Sequence, residues 1–202
     1  LKKDDWQASL SVPLFWQLIH YYQDAYALNS KNHRFFLNPS ANIKFFINAE
    51  DYLLANYRYN NSMGNIAGVY RGLILTNYRS LYVNDAELQE QYSSGLDITY
   101  NFQRNIIMLF INAGLNLRKV TANSILSSIL TNNVQRTVLL PYENGQSSFT
   151  ANAGISKYIF ALNTTASLKA IWRRSRYNQL INGNTFPFAN DVLDLNVNIG
   201  GK

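Results

Sequence analysis

Along most of this chain apolar and polar residues alternate one by one, and the alternation persists for stretches of 7–15 residues. In residues 34–48, Phe35, Leu37, Ala41, Ile43, Phe45 and Ile47 share one parity, while Asn38, Ser40, Asn42 and Lys44 share the other. Successive strand residues point to opposite faces, so such a stretch makes a strand with one apolar and one polar side. The same pattern returns at 8–19, 53–60, 96–102, 107–118, 148–156, 162–173 and 193–199, giving eight candidate strands. Within these stretches no Asp, Glu, Lys or Arg falls on the apolar parity. The dominant period is two rather than 3.6, which points to an all-β chain.

Strand length and loop rhythm narrow the fold class. A tilted strand needs roughly 9–11 residues to cross a bilayer, whereas strands of ordinary water-soluble domains average about 5–6. The connections alternate between long (21–33, 61–91, 121–147, 175–190) and short (Ala49-Glu50-Asp51, Gln103-Arg104-Asn105, and a somewhat longer one at 157–160). Outer-membrane barrels join their strands by short periplasmic turns and longer outer loops. The expectation is an antiparallel transmembrane β-barrel wall in the bacterial outer membrane, with residues 1–202 forming one partial barrel domain. With eight strands both chain ends fall on the periplasmic side. The chain starts at Leu1 and stops at Gly200-Gly201-Lys202 without a closing aromatic, which suggests an internal section of a longer barrel.

Composition agrees with that expectation. Charged residues make up 15% of the 202, against roughly 25% in a typical water-soluble domain. Asn, Ser, Thr and Gln supply the polar character, and 14 Tyr, 11 Phe and 3 Trp supply the aromatics. The net charge of +6 is spread thinly, with Arg173-Arg174-Ser175-Arg176 the densest run, and nucleic acid is not an expected partner. No stretch of eighteen apolar residues exists, which excludes helical membrane spans. The absence of cysteine excludes disulfides and thiolate metal sites.

Particular motifs sharpen the reading. The stretch Phe35 to Leu81, with Asn38-Pro39-Ser40, the YRYNN run at Tyr57 to Asn61, and the YRG and NYRSL elements between Tyr70 and Leu81, resembles the barrel of the TonB-dependent receptor family, in its Bacteroidetes-type branch. The stretch Gly154 to Trp172 resembles a later hairpin of the same barrels. This resemblance implies roughly eight of 22 strands, closed around a plug domain that this chain does not contain. It also implies import of a bulky nutrient, driven through a TonB-type energy-coupling protein, with a possible lipoprotein at the outer surface.

Candidate chemistry is sparse. His20 and His33 lack a third ligand at a recognised spacing, so no metal site is expected. Gly64, Gly68 and Gly72 match neither a phosphate loop nor a dinucleotide fingerprint. Glu50-Asp51, Asp4-Asp5 and the Asp85, Glu87, Glu90 group read as solvated turns and loops rather than acid–base pairs, and no catalytic residue or cofactor is expected. Arg71, Tyr78, Arg79, Arg173, Arg174 and Arg176 map to the long-connection side as candidate ligand contacts. Together with Arg118 and Lys119, the five arginines among them also suit a phosphorylated outer leaflet of lipopolysaccharide, or serve as scattered solubilising charge. Parity places Asn42, Lys44, Asn56, Arg58, Asp97, Asn112, Asn116 and Lys169 toward a barrel interior.

The function this supports is membrane transport without enzymatic activity. Two other readings stay open: a small closed eight-stranded barrel with a structural or adhesive role, and a soluble β-sandwich that binds glycans. The sandwich predicts a monomer that needs no detergent, unlike either barrel.

Overall fold

The computed structural model describes the chain except residues 1, 4, 65–68, 132 and 202. It is all-β, with strands β1 (Lys2–Lys3), β2 (Trp6–Ser11), β3 (Leu14–Gln23), β4 (Leu28–Leu37), β5 (Ser40–Phe46), β6 (Asp51–Met63), β7 (Ile74–Asn77), β8 (Ser80–Asn84), β9 (Glu90–Arg104), β10 (Leu109–Ala122), β11 (Ile125–Thr131), β12 (Val134–Leu140), β13 (Asn144–Ile159), β14 (Thr164–Ile181) and β15 (Asn184–Gly201). The order β2-β5-β6-β9-β10-β13-β14, with β15 on the far side of β14, is an antiparallel meander. The eight alternating stretches of the sequence lie in these strands and in β3 and β4, apart from residues 12–13, 38–39, 47–48, 107–108 and 162–163.

Two prolines explain why the first two of those stretches are each split. Strands β2 and β5 pair from Trp6↔Phe45 to Ser11↔Ser40, and β3 and β4 resume in the same register at Leu14↔Leu37. The interruption falls at Pro13 and Pro39, which have no backbone N–H to give to a ladder. Both still accept: Asn38 N donates to the Pro13 carbonyl at 3.0 Å and Tyr59 N to the Pro39 carbonyl at 2.9 Å. The Asn38 and Asn61 side chains bridge the gap. Asn61 N donates to Asn38 Oδ1 at 2.7 Å, and Asn61 Nδ2 donates to the Leu37 carbonyl at 3.0 Å.

The two ends of the meander differ. At one end the connections are tight. Asn48 Oδ1 accepts from the backbone N–H of Glu50 (2.7 Å) and Asp51 (2.9 Å), Met108 closes the β9–β10 turn at φ 48°, and the 3-10 turn Phe160–Leu162 closes β13–β14. At the other end lie the β7–β8 and β11–β12 hairpins and the 3-10 turn Asp24–Tyr26.

Two expectations are corrected here, and the closure that a small eight-stranded barrel requires is not found among the described residues. The sheet is not purely antiparallel, because β11 pairs in parallel with β14 and β12 with β8. The excursions after β6 and β10 fold back toward each other, and their strands meet side by side. The sheet is also open, since no pairing joins β15 to the β1–β2 edge among the described residues. Finally, residues 21–33 and 175–190 are largely strand rather than loop. In the second, β14 and β15 run on to a two-residue turn at Asn182 (φ 48°) and Gly183 (φ 80°). Positive φ at both positions is the type I′ geometry that matches strand twist, and Asn-Gly is its favoured dipeptide.

Few side chains are fully buried, and they gather at the long-connection end, where Tyr21, Val69 and Leu88 pack with Ile19, Leu28 and Met63. The apolar side of the meander is left uncovered by the described residues.

Candidate functional site

Cross-strand registers carry the parity of each strand onto its neighbour, so the sheet has two coherent faces. On the apolar face, Ala8, Ile43, Ala55, Ile98, Leu115, Ala151, Trp172 and Leu193 form one row through eight strands. Leu115, Leu168 and Val197 on this face are 45%, 47% and 69% exposed. Aromatic residues stand within it: Phe149 and Trp172 meet edge-on (5.3 Å between centroids), and Tyr100 and Phe102 occupy the rows of Ala113 and Ile111.

The opposite face is polar and amide-rich. Asn42, Asn56, Asp97, Asn116, Thr150 and Arg173 occupy one continuous row. Asn116 Nδ2 donates to Asp97, Asn42 Nδ2 donates to Ser9 Oγ at 3.3 Å, and Arg173 pairs with Asp194 at 2.7 Å. Arg58 lies one row outward, in register with Ser40 and Gly95. Toward the short turns, the Lys44 ammonium lies 4.0 Å from the centre of the Tyr52 ring and 4.7 Å from that of Phe46. Asn112 faces Gly154, which in turn faces Lys169. Asn112 lies over Gly154 and Asn152 over Gly114, each amide oxygen 2.6 Å from where a glycine Cβ would stand. Glycine at these positions makes room for flat amides against the sheet.

At the long-connection end this polar face opens into a cleft of about 1020 Å³, between β10, β13 and β14 on one side and β11 and β12 on the other. Arg118, Gln146, Tyr177, Gln179 and Tyr82 are among its walls. Burial pushes the Tyr82 phenol up from its ordinary value, so it stays a neutral donor and acceptor there.

The six candidate ligand residues do not form one site. Arg71 is held by Asp85 (3.1 Å) in the connection after β6. Tyr78 is almost fully exposed in the β7–β8 turn, with the Arg79 guanidinium 5.1 Å from its ring centre. Arg173 belongs to the polar row, whereas Arg174 and Arg176 stand on the other parity of β14, the apolar one. Lys119 of β10 joins those two, being in register with Ser147, which pairs with Arg176. A hollow of about 360 Å³ lies among them, with Tyr57, Leu117 and Phe149 also in its lining.

Other sequence candidates are accounted for locally. His20 shares a hydrogen bond with Asn29 (2.9 Å), and His33 meets the Trp16 ring edge-on. Glu50 pairs with Arg104 of the next turn at 2.8 Å, and Glu90 with Arg34. Gly68 and Asp4 lie outside the described residues. Residue-by-residue reading missed the cleft under β11 and β12, because its walls come from strands that meet only in three dimensions. Comparison of the chain with family models, curated proteins and solved structures gives no match.

Proposed function

We propose that this chain is a section of the wall of an outer-membrane β-barrel transport protein of the TonB-dependent receptor type, its apolar face toward lipid and its polar face toward the barrel interior. The observation that carries this reading is the apolar face that runs through eight strands and that nothing else in the described chain covers. At about 50 Å² apiece, its side chains expose on the order of 1,000 Å², beyond the roughly 300–600 Å² of the largest patch on a typical monomer. Its height also suits a bilayer. Leu109 to Leu117 of β10 spans about 26 Å along the strand at roughly 3.3 Å per residue. Tilted by about 40°, that stretch rises about 20 Å, close to the roughly 25 Å apolar band of membrane barrels.

A sandwich needs a second sheet over this face, and a small closed barrel needs β15 joined to the β1–β2 edge. Neither partner exists among the described residues. Passage of a bulky nutrient through a polar lumen is the function in keeping with the amide-rich inner face. The plug domain, a TonB-type energy-coupling protein and an outer lipoprotein belong to this reading as components outside the chain.

Fractionation of cells expressing the intact parent protein tests it. The protein is expected in the outer membrane, extractable only with detergent, and of heat-dependent mobility on a gel. Recovery in the aqueous fraction without detergent overturns the reading.

A further inference from the structure

Charges on the polar face need no special account, but at the long-connection end three cations of β10 and β14 stand on the apolar one. Lys119, Arg174 and Arg176 occupy two adjacent rows at the long-connection end, flanking β13, and Asp191 is the acid that shares those rows. At the opposite end of the same face the charges balance in number: Arg104 pairs with Glu50, and that end carries Asp51 on β6 as well as Lys157 on β13. The excess of positive charge is therefore confined to the edge that the proposed orientation puts outside.

These cations are poorly occupied. The Arg174 Nε is shielded from solvent without a hydrogen-bond partner, its nearest carboxylate oxygen, Asp191 Oδ1, lying 3.6 Å away. Neither Lys119 nor Arg176 has a side-chain partner among the described residues. Shielded donors left unsatisfied are uncommon in folded proteins, and a guanidinium edge held this way can still donate to an anionic group. Between the three lies the 360 Å³ hollow, cationic on its outer side and lined toward the apolar band by Tyr57, Leu117 and Phe149. A site with donors at one end and apolar walls at the other matches an amphiphile with an anionic head.

The geometry points to a site on the outer rim of the lipid-facing side for the phosphate of a phosphorylated amphiphile of the outer leaflet. Arg174 and Arg176 offer planar donor forks to the phosphate oxygens, and Lys119 closes the other side as a point charge. The acyl part lies down over Leu117 and Phe149. This site rests on the proposed orientation of the sheet, with the apolar face in lipid.

The test reconstitutes the intact parent protein in phosphatidylcholine nanodiscs, doped with a monophosphorylated glycolipid or with the same lipid after enzymatic removal of its phosphate. Lipid retained on the protein after transfer to detergent is counted by native mass spectrometry. The phosphorylated lipid is expected to be retained about tenfold more than its dephosphorylated form, since each charge-assisted bond contributes on that order. Lys119→Gln, Arg174→Gln and Arg176→Gln together are expected to erase the difference, and Lys157→Gln at the opposite rim to leave it intact. Equal retention of the two lipids by inserted protein overturns the site while leaving the barrel reading in place. Failure of the protein to enter the discs overturns both. Displacement of the lipid by millimolar inorganic phosphate reassigns the cations to a free-anion site and also overturns the proposal.

Discussion

Replacing Leu115 by Arg separates the possible surroundings of the apolar face by magnitude. Leu115 lies in the row Ile98–Leu115–Ala151 and is 45% exposed, four residues inward from Lys119 along β10. At roughly 3.3 Å per residue and a tilt near 40°, it sits about 10 Å below Lys119 and about 5 Å below the row of Arg174, inside the apolar band. An Arg on the lipid face at the midplane costs about 2–4 kcal/mol and falls to about 0–1 near the interface. Leu115→Arg is therefore expected to cost about 3 kcal/mol in urea unfolding of the parent protein in phosphatidylcholine vesicles. Asn116→Arg, one residue on and facing the other way, is expected to cost less than about 1 kcal/mol. If the face met water, Leu115→Arg would lie within about 0.5 kcal/mol of wild type. That result, or equal losses for the two variants, refutes the assignment of faces.

Other expectations follow from local geometry. Gly183→Val places a β-branched residue at φ 80° in the β14–β15 turn, at a cost of about 1–3 kcal/mol. Faster hydrogen exchange confined to the outer ends of those strands would register it. Asn116→Asp sets a second carboxylate directly opposite Asp97 and replaces a hydrogen bond by like-charge repulsion. A loss of about 1 kcal/mol is expected in low salt, shrinking as salt is raised, and an unchanged loss would exclude the repulsion. Arg173→Gln removes a half-exposed pair with Asp194 and is expected to cost less than about 1 kcal/mol in the same unfolding assay.

The two faces were legible because ladder registers preserve parity. Once Ile98, Leu115 and Ala151 pair in line, the alternation written in each strand becomes a continuous surface. The extent of the strands was less legible. The segment Leu28–Leu37 opens with Asn, Ser, Lys and Asn residues whose weak alternation reads as loop, and its strand character comes from pairing with β3. The end of β14 was readable in principle, since Asn182-Gly183 between paired strands is a hairpin signal. Placing a loop boundary at Ser175 hid it, and with it the parity that separates Arg174 and Arg176 from Arg173. The parallel pairings of β11 with β14 and β12 with β8 had no local signal. They join segments distant in sequence, and nothing in a two-residue period specifies a partner.

The central claim is that one face of this sheet meets lipid and the other the lumen, and a cysteine scan tests it most directly. The chain contains no native cysteine, so single substitutions report without background. The set 112–117 on β10 samples both faces in turn. In the parent protein in intact outer membranes, cysteines at Ala113, Leu115 and Leu117 are expected to react with a bilayer-confined maleimide. Those at Asn112, Gly114 and Asn116 are expected to react only with a water-soluble one. Uniform reaction with the water-soluble reagent, or the same alternation with the faces exchanged, contradicts the account.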